Sequence, residues 1–154
     1  MSRMSRTPSR STSPAPDAHE AALRALRVRD LSVAELERRL GERGFAGDEI
    51  ATTREALVRT GLLDDARLAE RRASSLAARG AGDALIRHRL GELGLDRDLV
   101  DGAVDGLEPE LERALRIVER RGAGARTARY LAGKGFSEEA VRDAVATGGP
   151  RELG

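Results

Sequence analysis

Three stretches of the chain superimpose on one another without gaps, and they decide its fold. They are Val33–Ala46 (VAELERRLGERGFA), Asp83–Asp96 (DALIRHRLGELGLD) and Gly124–Ser137 (GARTARYLAGKGFS). Each holds a Leu, a Gly four residues later and a large apolar residue next, and another apolar residue follows five positions further on, beyond the end of the stretch. Leu matches alone could arise by chance in so Leu-rich a chain. The whole series, found three times in the same order, indicates an internal repeat.

The repeated pattern is typical of a helix followed by a sharp turn. Leu36 and Leu40 lie four residues apart and share one helical face, as their counterparts do. The repeated spacing then places Gly44 where a residue in the left-handed conformation ends a helix. Phe45 is expected to fold back and anchor the turn to the core. A second small residue precedes each anchor by four positions, and it predicts a close approach of two helices unless it reflects composition alone. These small residues are Gly41, Gly91 and Ala132.

Each repeat has room for three helices, which predicts an all-α protein of three tandem three-helix repeats. The first helix is expected over Ala21–Arg29; Ser32 with Glu35 forms a capping box, and Asp64, Asp96 and Ser137 are expected N-caps. Units that contact mainly their neighbours form an elongated, curved array, here right-handed or irregular. The expected segments are a disordered Arg/Ser/Pro-rich tail over 1–19, repeats over 20–61, 62–107 and 108–148, and a tail over 149–154.

The composition agrees with thin aliphatic helical bundles. The 154 residues include no Cys and only 2% aromatic residues. Disulfides, thiolate zinc sites and cysteine nucleophiles are therefore excluded, and an aromatic-rich β-barrel is disfavoured. Charged residues interrupt every apolar run well before the roughly 20 residues that would span a bilayer, so no membrane association is expected.

The sequence lacks the parts of a catalytic site. His19 and His88 have no metal-ligand spacing, and no phosphate-binding glycine motif or nucleophile elbow occurs. The pair Asp64 and Asp65 suggests a metal site at first sight, but adjacent carboxylates at the start of a helix more often cap it. We expect no enzyme activity, no metal and no cofactor.

A basic window is the strongest functional signal. The net charge of the chain is +1, yet residues 113–134 hold seven basic residues against one acid, Glu119. Such a patch suggests contact with phosphate or an acidic protein surface. The alternative is a solvated helical face, which is the more common explanation in a generic chain. The contact candidates in this window are Arg116, Arg120, Arg121, Arg126, Arg129 and Lys134, and secondary candidates are Arg87 and Arg89. With Tyr130 as the only nearby aromatic residue, recognition by base stacking has little support.

These motifs resemble the RecX family of regulatory proteins. Gly61–Leu95 is similar to the family's central block, with a G-x-L-D-D-x-R-[F/L]-A opening, an R-G-x-G turn and an I-R-x-x-L helix. Arg29–Phe45 resembles its first repeat, and the likeness covers roughly residues 20 to 147. The chain departs from the family pattern at Leu68, Arg72 and Ala81, which are expected to alter packing or a contact surface.

The resemblance implies a function as well as a fold. It implies a cytoplasmic, monomeric regulator that binds the RecA recombinase, above all RecA filaments on single-stranded DNA, and that restrains recombinase activity in DNA repair and homologous recombination. Direct contact with DNA is a further expectation. Two alternatives stay open: a helical-repeat module that binds nucleic acid without RecA, and a helical adaptor for some other protein.

Overall fold

The computed structural model describes residues 17–149, and helices make up most of this part of the chain. The helices are α1 Ala18–Val28, α2 Val33–Glu42, α3 Gly47–Arg59, α4 Asp65–Ala78, α5 Asp83–Glu92, α6 Arg97–Asp105, α7 Glu110–Arg121, α8 Ala125–Gly133 and α9 Glu138–Thr147. No strand occurs in residues 17–149. The predicted all-α class is confirmed.

The first helix begins earlier than the sequence predicts. The Asp17 carboxylate accepts a hydrogen bond from the Glu20 N–H at 2.8 Å, so Asp17 is the N-cap of α1, and Ala18 is fully buried. Residues 18 and 19 therefore belong to the first helix and not to the predicted tail 1–19. The start of the helix holds Ala and no large apolar residue, so the sequence shows no helical spacing of apolar residues at this point. Residues 1–16 and 150–154, which make up most of the two predicted tails, lie outside the described residues.

The helices pack most closely in consecutive groups of three, and each group has its own apolar core. We call α1–α3 the first unit, α4–α6 the second unit and α7–α9 the third unit. Their most buried large side chains are Leu36, Leu40 and Leu57 in the first unit, Ile86 and Leu90 in the second, and Leu131 in the third. Two of the departures from the RecX pattern, Leu68 and Ala81, are buried in the second core, whereas Arg72 is exposed. The packing is consistent with the predicted three-helix repeat.

The predicted helix caps are mostly confirmed. Ser32 and Glu35 form a reciprocal capping box at the start of α2, in which each side chain accepts from the other residue's backbone N–H. Asp64 caps α4 and Ser137 caps α9 through their side chains. Asp96 occupies the N-cap position of α6 but its side chain accepts no capping bond. The short polar residues thus set where these helices begin.

The repeated Gly ends the middle helix of every unit in the left-handed region, as predicted. The φ angles of Gly44, Gly94 and Gly135 are 88°, 75° and 91°. After two of them the chain folds back, and the N–H groups of Phe45 and Phe136 donate to carbonyl oxygens five residues earlier. The anchor side chain of each unit therefore returns to its own core.

The prediction of close helix approach at Gly41 and Gly91 is wrong. A Cβ atom on either residue would meet nothing within 4 Å, and both residues are exposed, as is Ala132. These small residues lie on the solvent side of the last helical turn. The close approaches occur instead one turn away, at Gly94 and Gly135.

Neighbouring units meet at equivalent positions at both junctions, although the hydrogen-bond donor differs. The start of α2 packs on the last turn of α5, where the Ser32 hydroxyl donates to the Leu93 carbonyl oxygen. The start of α5 packs on the last turn of α8, where the Gly82 N–H donates to the Lys134 carbonyl oxygen at 2.8 Å. The first and second units therefore each place the N-terminus of the middle helix against the C-terminal turn of the middle helix in the following unit.

A carboxylate from the following unit completes each junction. Asp65, the first residue of α4, accepts from the Val33 N–H at 2.9 Å, and Glu110, the first residue of α7, accepts from the Asp83 N–H at 3.0 Å. Both bonds satisfy an N–H that the helix itself leaves free, and the negative charge lies at the positive end of the helix dipole. The same device thus joins the first unit to the second and the second to the third.

Substitution of Gly135 measures how tightly the junction between the second and third units is packed. A Cβ atom on Gly135 would lie 2.6 Å from the Leu85 backbone nitrogen, whereas Gly44, with nearly the same φ, faces open space. We expect Gly44→Ala to cost about 1–2 kcal/mol through backbone strain alone. Gly135→Ala should cost at least about 1 kcal/mol more, because the junction must also open. Urea unfolding of both variants measures the difference, and equal losses would show that the junction is loose.

Candidate partner-binding face

Helices α7 and α8 carry most of the predicted contact residues. The apolar stripe of α7, formed by Ala114, Ile117 and Val118, faces the core of the third unit and leaves Arg116 and Arg120 on an exposed stripe. Arg120 and Arg121 lie in the last turn of α7, where a positive charge is favoured by the helix dipole. The amphipathic pattern of one helix therefore sets the position of three cations.

Arg121 and Tyr130 connect the two helices. The Arg121 guanidinium carbon lies 3.7 Å from the centre of the Tyr130 ring, which is a close cation–π contact. Arg126 lies four residues before Tyr130 on α8 and shares its side of the helix, and Arg129 lies three residues after Arg126 and shares a side with that residue. Arg121 thus covers one face of the Tyr130 ring.

The turn after α4 brings the second unit to the same place. An added Cβ at Gly80 would lie 3.8 Å from the Ile117 side chain, 3.9 Å from the Tyr130 hydroxyl and 4.0 Å from Lys134 Cε. Lys134 therefore lies beside Tyr130 at the junction of the second and third units. We name this surface the basic face; it consists of Arg116, Arg120, Arg121, Arg126, Arg129 and Lys134.

Most of the basic face has no ion pair. Arg116 pairs with Glu108, but within residues 17–149 no carboxylate lies within 4.0 Å of the other five cations. All members except the half-buried Lys134 are exposed. The face can therefore offer several charge-assisted hydrogen bonds to an anionic partner without first breaking internal ones.

Arg113, which the sequence counts in the same basic window, is not part of this face. Its side chain is only 7% exposed and donates to the carbonyl oxygens of Ala81 and Glu108 at 2.8 and 2.9 Å and to the Asp83 carboxylate. Two of these acceptors belong to the second unit. Arg113 is therefore a structural link across the junction, and the sequence could not distinguish it from its exposed neighbours by charge alone.

The secondary candidates Arg87 and Arg89 lie elsewhere. Arg87 on α5 pairs with Asp101, and Asp105 is 4.0 Å away; both acids are one turn apart on α6. Arg89 lies 3.6 Å from Glu92 on its own helix. The acids of α6 thus offset the positive charge of Arg87, a pairing that the sequence alone does not show. Neither Arg87 nor Arg89 belongs to the basic face.

The two Asp residues that suggested a metal site have structural tasks. Asp64 caps α4 and Asp65 closes the first junction. Burial raises the pKa of Asp65, the bond from the Val33 N–H lowers it, and the nearby charges of Asp96, Asp64 and Glu35 raise it further; the net shift is upward. Within residues 17–149 no cluster of three or more metal-ligating side chains occurs.

Glu35 is the other carboxylate with a shifted pKa. Burial acts to raise its pKa, but hydrogen bonds from the Ser32 backbone and the Arg29 guanidinium, 2.9 Å away, act in the other direction and lower it overall. Glu35 is thus held as the anion at the start of α2. His88 is exposed on α5, 3.0 Å from Glu92. None of these groups forms a pair with the geometry of a general acid and base.

The fold and the face together define a helical-repeat protein that presents a charged surface at the junction of two units. No helix in residues 17–149 is long and apolar enough to cross a membrane. The search against protein-family models gave no match.

Comparison with curated proteins identifies the family. The chain is 38% identical to the regulatory protein RecX of Chromohalobacter salexigens over 81% of this chain and 88% of the relative. It is 34% identical to the regulatory protein RecX of Trichlorobacter lovleyi over 82% of this chain and 92% of the relative. The chain belongs to the RecX family of regulatory proteins.

Solved structures support the fold. The crystal structure of RecX from Lactobacillus salivarius matches with a TM-score of 0.74 at 19% identity, over 84% of this chain and 93% of that chain. A second crystal structure of a regulatory protein RecX matches with a TM-score of 0.69 at 20% identity, over 82% and 70% of the two chains. The arrangement of helices is thus shared well beyond the range of close sequence similarity.

Proposed function

We propose that this protein binds RecA and RecA filaments on single-stranded DNA and inhibits their recombinase activity, and so regulates DNA repair and homologous recombination. Membership of the RecX family gives the class of regulator. The observation that carries the proposal beyond the family is the basic face, a group of cations of which five have no ion pair in residues 17–149, held at a closely packed junction.

The repeated architecture suits a filament partner. Three units with separate cores are joined through short junctions, so different units can contact successive subunits of one filament. Once one unit is bound, the others contact the filament at high effective concentration, and individually weak contacts add to a strong one. An elongated, curved shape remains the prediction for this array.

The face is proposed to contact DNA phosphate or an acidic surface of the filament, with Arg120, Arg121, Arg126 and Arg129 as the main contributors. Arg87 and Arg89 are weaker candidates because acids of their own unit lie beside them. The protein is proposed to act in the cytoplasm as a monomer. No cofactor is proposed, because binding alone would be enough for the proposed inhibition of filament growth, ATP hydrolysis and strand exchange.

The direct test is a titration of the purified protein into RecA assembled on single-stranded DNA, with ATP hydrolysis as the readout. Inhibition is expected at or below one molecule of protein per RecA subunit, because each bound molecule should block several RecA subunits. An unchanged ATPase rate over that range would contradict the proposed function.

The basic face also favours one alternative, a module that binds nucleic acid without RecA. Gel-shift measurements at increasing salt, with and without RecA, separate the two functions. Binding that needs RecA supports the filament regulator. Strong, salt-sensitive binding to free DNA that RecA does not improve would support the module instead.

A further inference from the structure

A cleft between the second and third units forms one edge of the basic face. It lies between the C-terminal end of α4 and the exposed stripe of α7 and has a volume of about 290 Å³. That volume is just below the roughly 300–1,000 Å³ typical of small-molecule sites. It is large enough for one or two side chains of another protein.

The cleft combines apolar walls with cations. Ala77, Ala78 and Leu107 line it on the apolar side, and Arg113, Arg116 and Arg120 line it on the charged side. Ile117 and Phe136 lie at its base and are only 6% exposed. Asp83 offsets the charge of Arg113, and Glu108 offsets that of Arg116. Arg120 has no carboxylate within 4.0 Å in residues 17–149, so the cleft offers one positive charge beside an apolar surface.

This arrangement distinguishes between two anionic partners. A phosphodiester backbone carries a charge on every residue and would meet the Glu108 carboxylate at the rim of the cleft. It would also leave the accessible apolar side chains of Ala77, Ala78 and Leu107 without an apolar partner. A protein segment with a carboxylate next to an apolar side chain matches both the single free charge and the apolar walls. Arg120 can bind the carboxylate through two charge-assisted hydrogen bonds while the apolar side chain covers the walls.

We propose that this cleft is the docking site for an acidic, extended segment of a protein partner, in which an Asp or Glu residue adjoins an apolar residue. The inference rests on the proposed function in that the cleft borders the proposed filament-binding face. The remaining cations of that face stay available for DNA or for other parts of the partner. Arg113 acts as a positioning residue because it fixes the two units that form the walls.

A binding experiment without RecA tests this site separately from the proposed function. The probe is a short fluorescein-labelled peptide of Asp, Glu and Gly that contains Leu residues, and fluorescence anisotropy measures its binding to the full chain. Two matched peptides replace either Leu by Ser or the acids by their amides. We expect both replacements to weaken binding at least about tenfold, since each removes one half of the match.

Two variants of the protein test whether the peptide binds in the cleft. Arg120→Glu reverses the charge, and Ser74→Trp fills the opening from α4 without changing any charge; Ser74 is exposed and lines the cleft. Each should weaken peptide binding at least about tenfold, whereas Arg59→Glu, an exposed charge reversal in the first unit, should not. Circular dichroism checks that all three remain folded.

Several results would overturn the proposal. The first three are absence of peptide binding, equal binding of the amide peptide, and unchanged binding by the Ser74→Trp variant. The fourth is displacement of the peptide by an oligo-dT strand whose own binding is weakened by Arg120→Glu and by Ser74→Trp. The last result would assign the cleft to phosphate. If the peptide binds as expected while RecA ATPase does not respond to the protein, the docking site stands and the proposed function fails.

Discussion

Reversing the charges of Arg120, Arg121, Arg126 and Arg129 to Glu should abolish most of the inhibition of RecA filaments. All four side chains are exposed on α7 and α8, and within residues 17–149 none has a carboxylate within 4.0 Å, so their positive charge is available to a partner. We expect the affinity for RecA filaments to fall roughly tenfold to a hundredfold. If these residues contact single-stranded DNA, the slope of log affinity against log salt should fall by roughly 3, because each lost phosphate contact contributes about 0.7.

The matched control reverses four exposed arginines outside the basic face. Arg24, Arg27, Arg59 and Arg72 lie in the first two units, are exposed, and like the face residues have no ion pair in residues 17–149. Their reversal changes the net charge by the same amount. Equal loss of ATPase inhibition in both variants would show that overall charge matters and that the basic face is not the contact surface.

Replacing Arg113 by Ala should destabilise the protein more than any exposed substitution on the same helix. The change leaves the carbonyl oxygens of Ala81 and Glu108 and the Asp83 carboxylate without their donor at the junction. Removing one partner of a fully buried, hydrogen-bonded ion pair typically costs about 3–5 kcal/mol. Because the Asp83 side chain is 31% exposed, we expect a loss of about 2–3 kcal/mol in urea unfolding.

Two further variants separate charge from geometry. Arg113→Lys keeps the charge but cannot reach all three acceptors with one ammonium group, so an intermediate loss is expected. Arg142→Ala removes an exposed arginine of the same unit and should change stability by less than about 0.5 kcal/mol. A loss below about 1 kcal/mol for Arg113→Ala would mean that water replaces the guanidinium at the junction.

Local sequence signals predicted the parts of this fold that depend on nearby residues. The Leu and Gly spacing around Leu40 and Gly44 identified the repeated helix and its left-handed end, and the capping box at Ser32 and Glu35 fixed the start of α2. Both features depend on hydrogen bonds within a few residues. Their geometry therefore follows from the sequence without knowledge of the tertiary fold.

Features that depend on packing between units were not predictable in the same way. Arg113 and Arg116 are three residues apart and chemically identical, yet one is buried and the other exposed, because the turn at Ala81 covers only the first. The small residue Gly41 has the same chemistry as Gly135, but only Gly135 faces a neighbouring unit. The spacing of apolar residues in the sequence shows which residues share one face of a helix. Only the tertiary structure shows which element packs against that face.

The contact between Arg121 and Tyr130 also gives the protein a built-in optical signal. Tyr130 is the only tyrosine of the chain, which has no tryptophan, and its ring lies under a guanidinium at the centre of the basic face. Any ligand that draws Arg121 away changes the surroundings of the sole near-ultraviolet chromophore of this kind. Tyrosine fluorescence of the unlabelled protein should therefore report occupancy of the face directly, without a dye and without background from any other tyrosine.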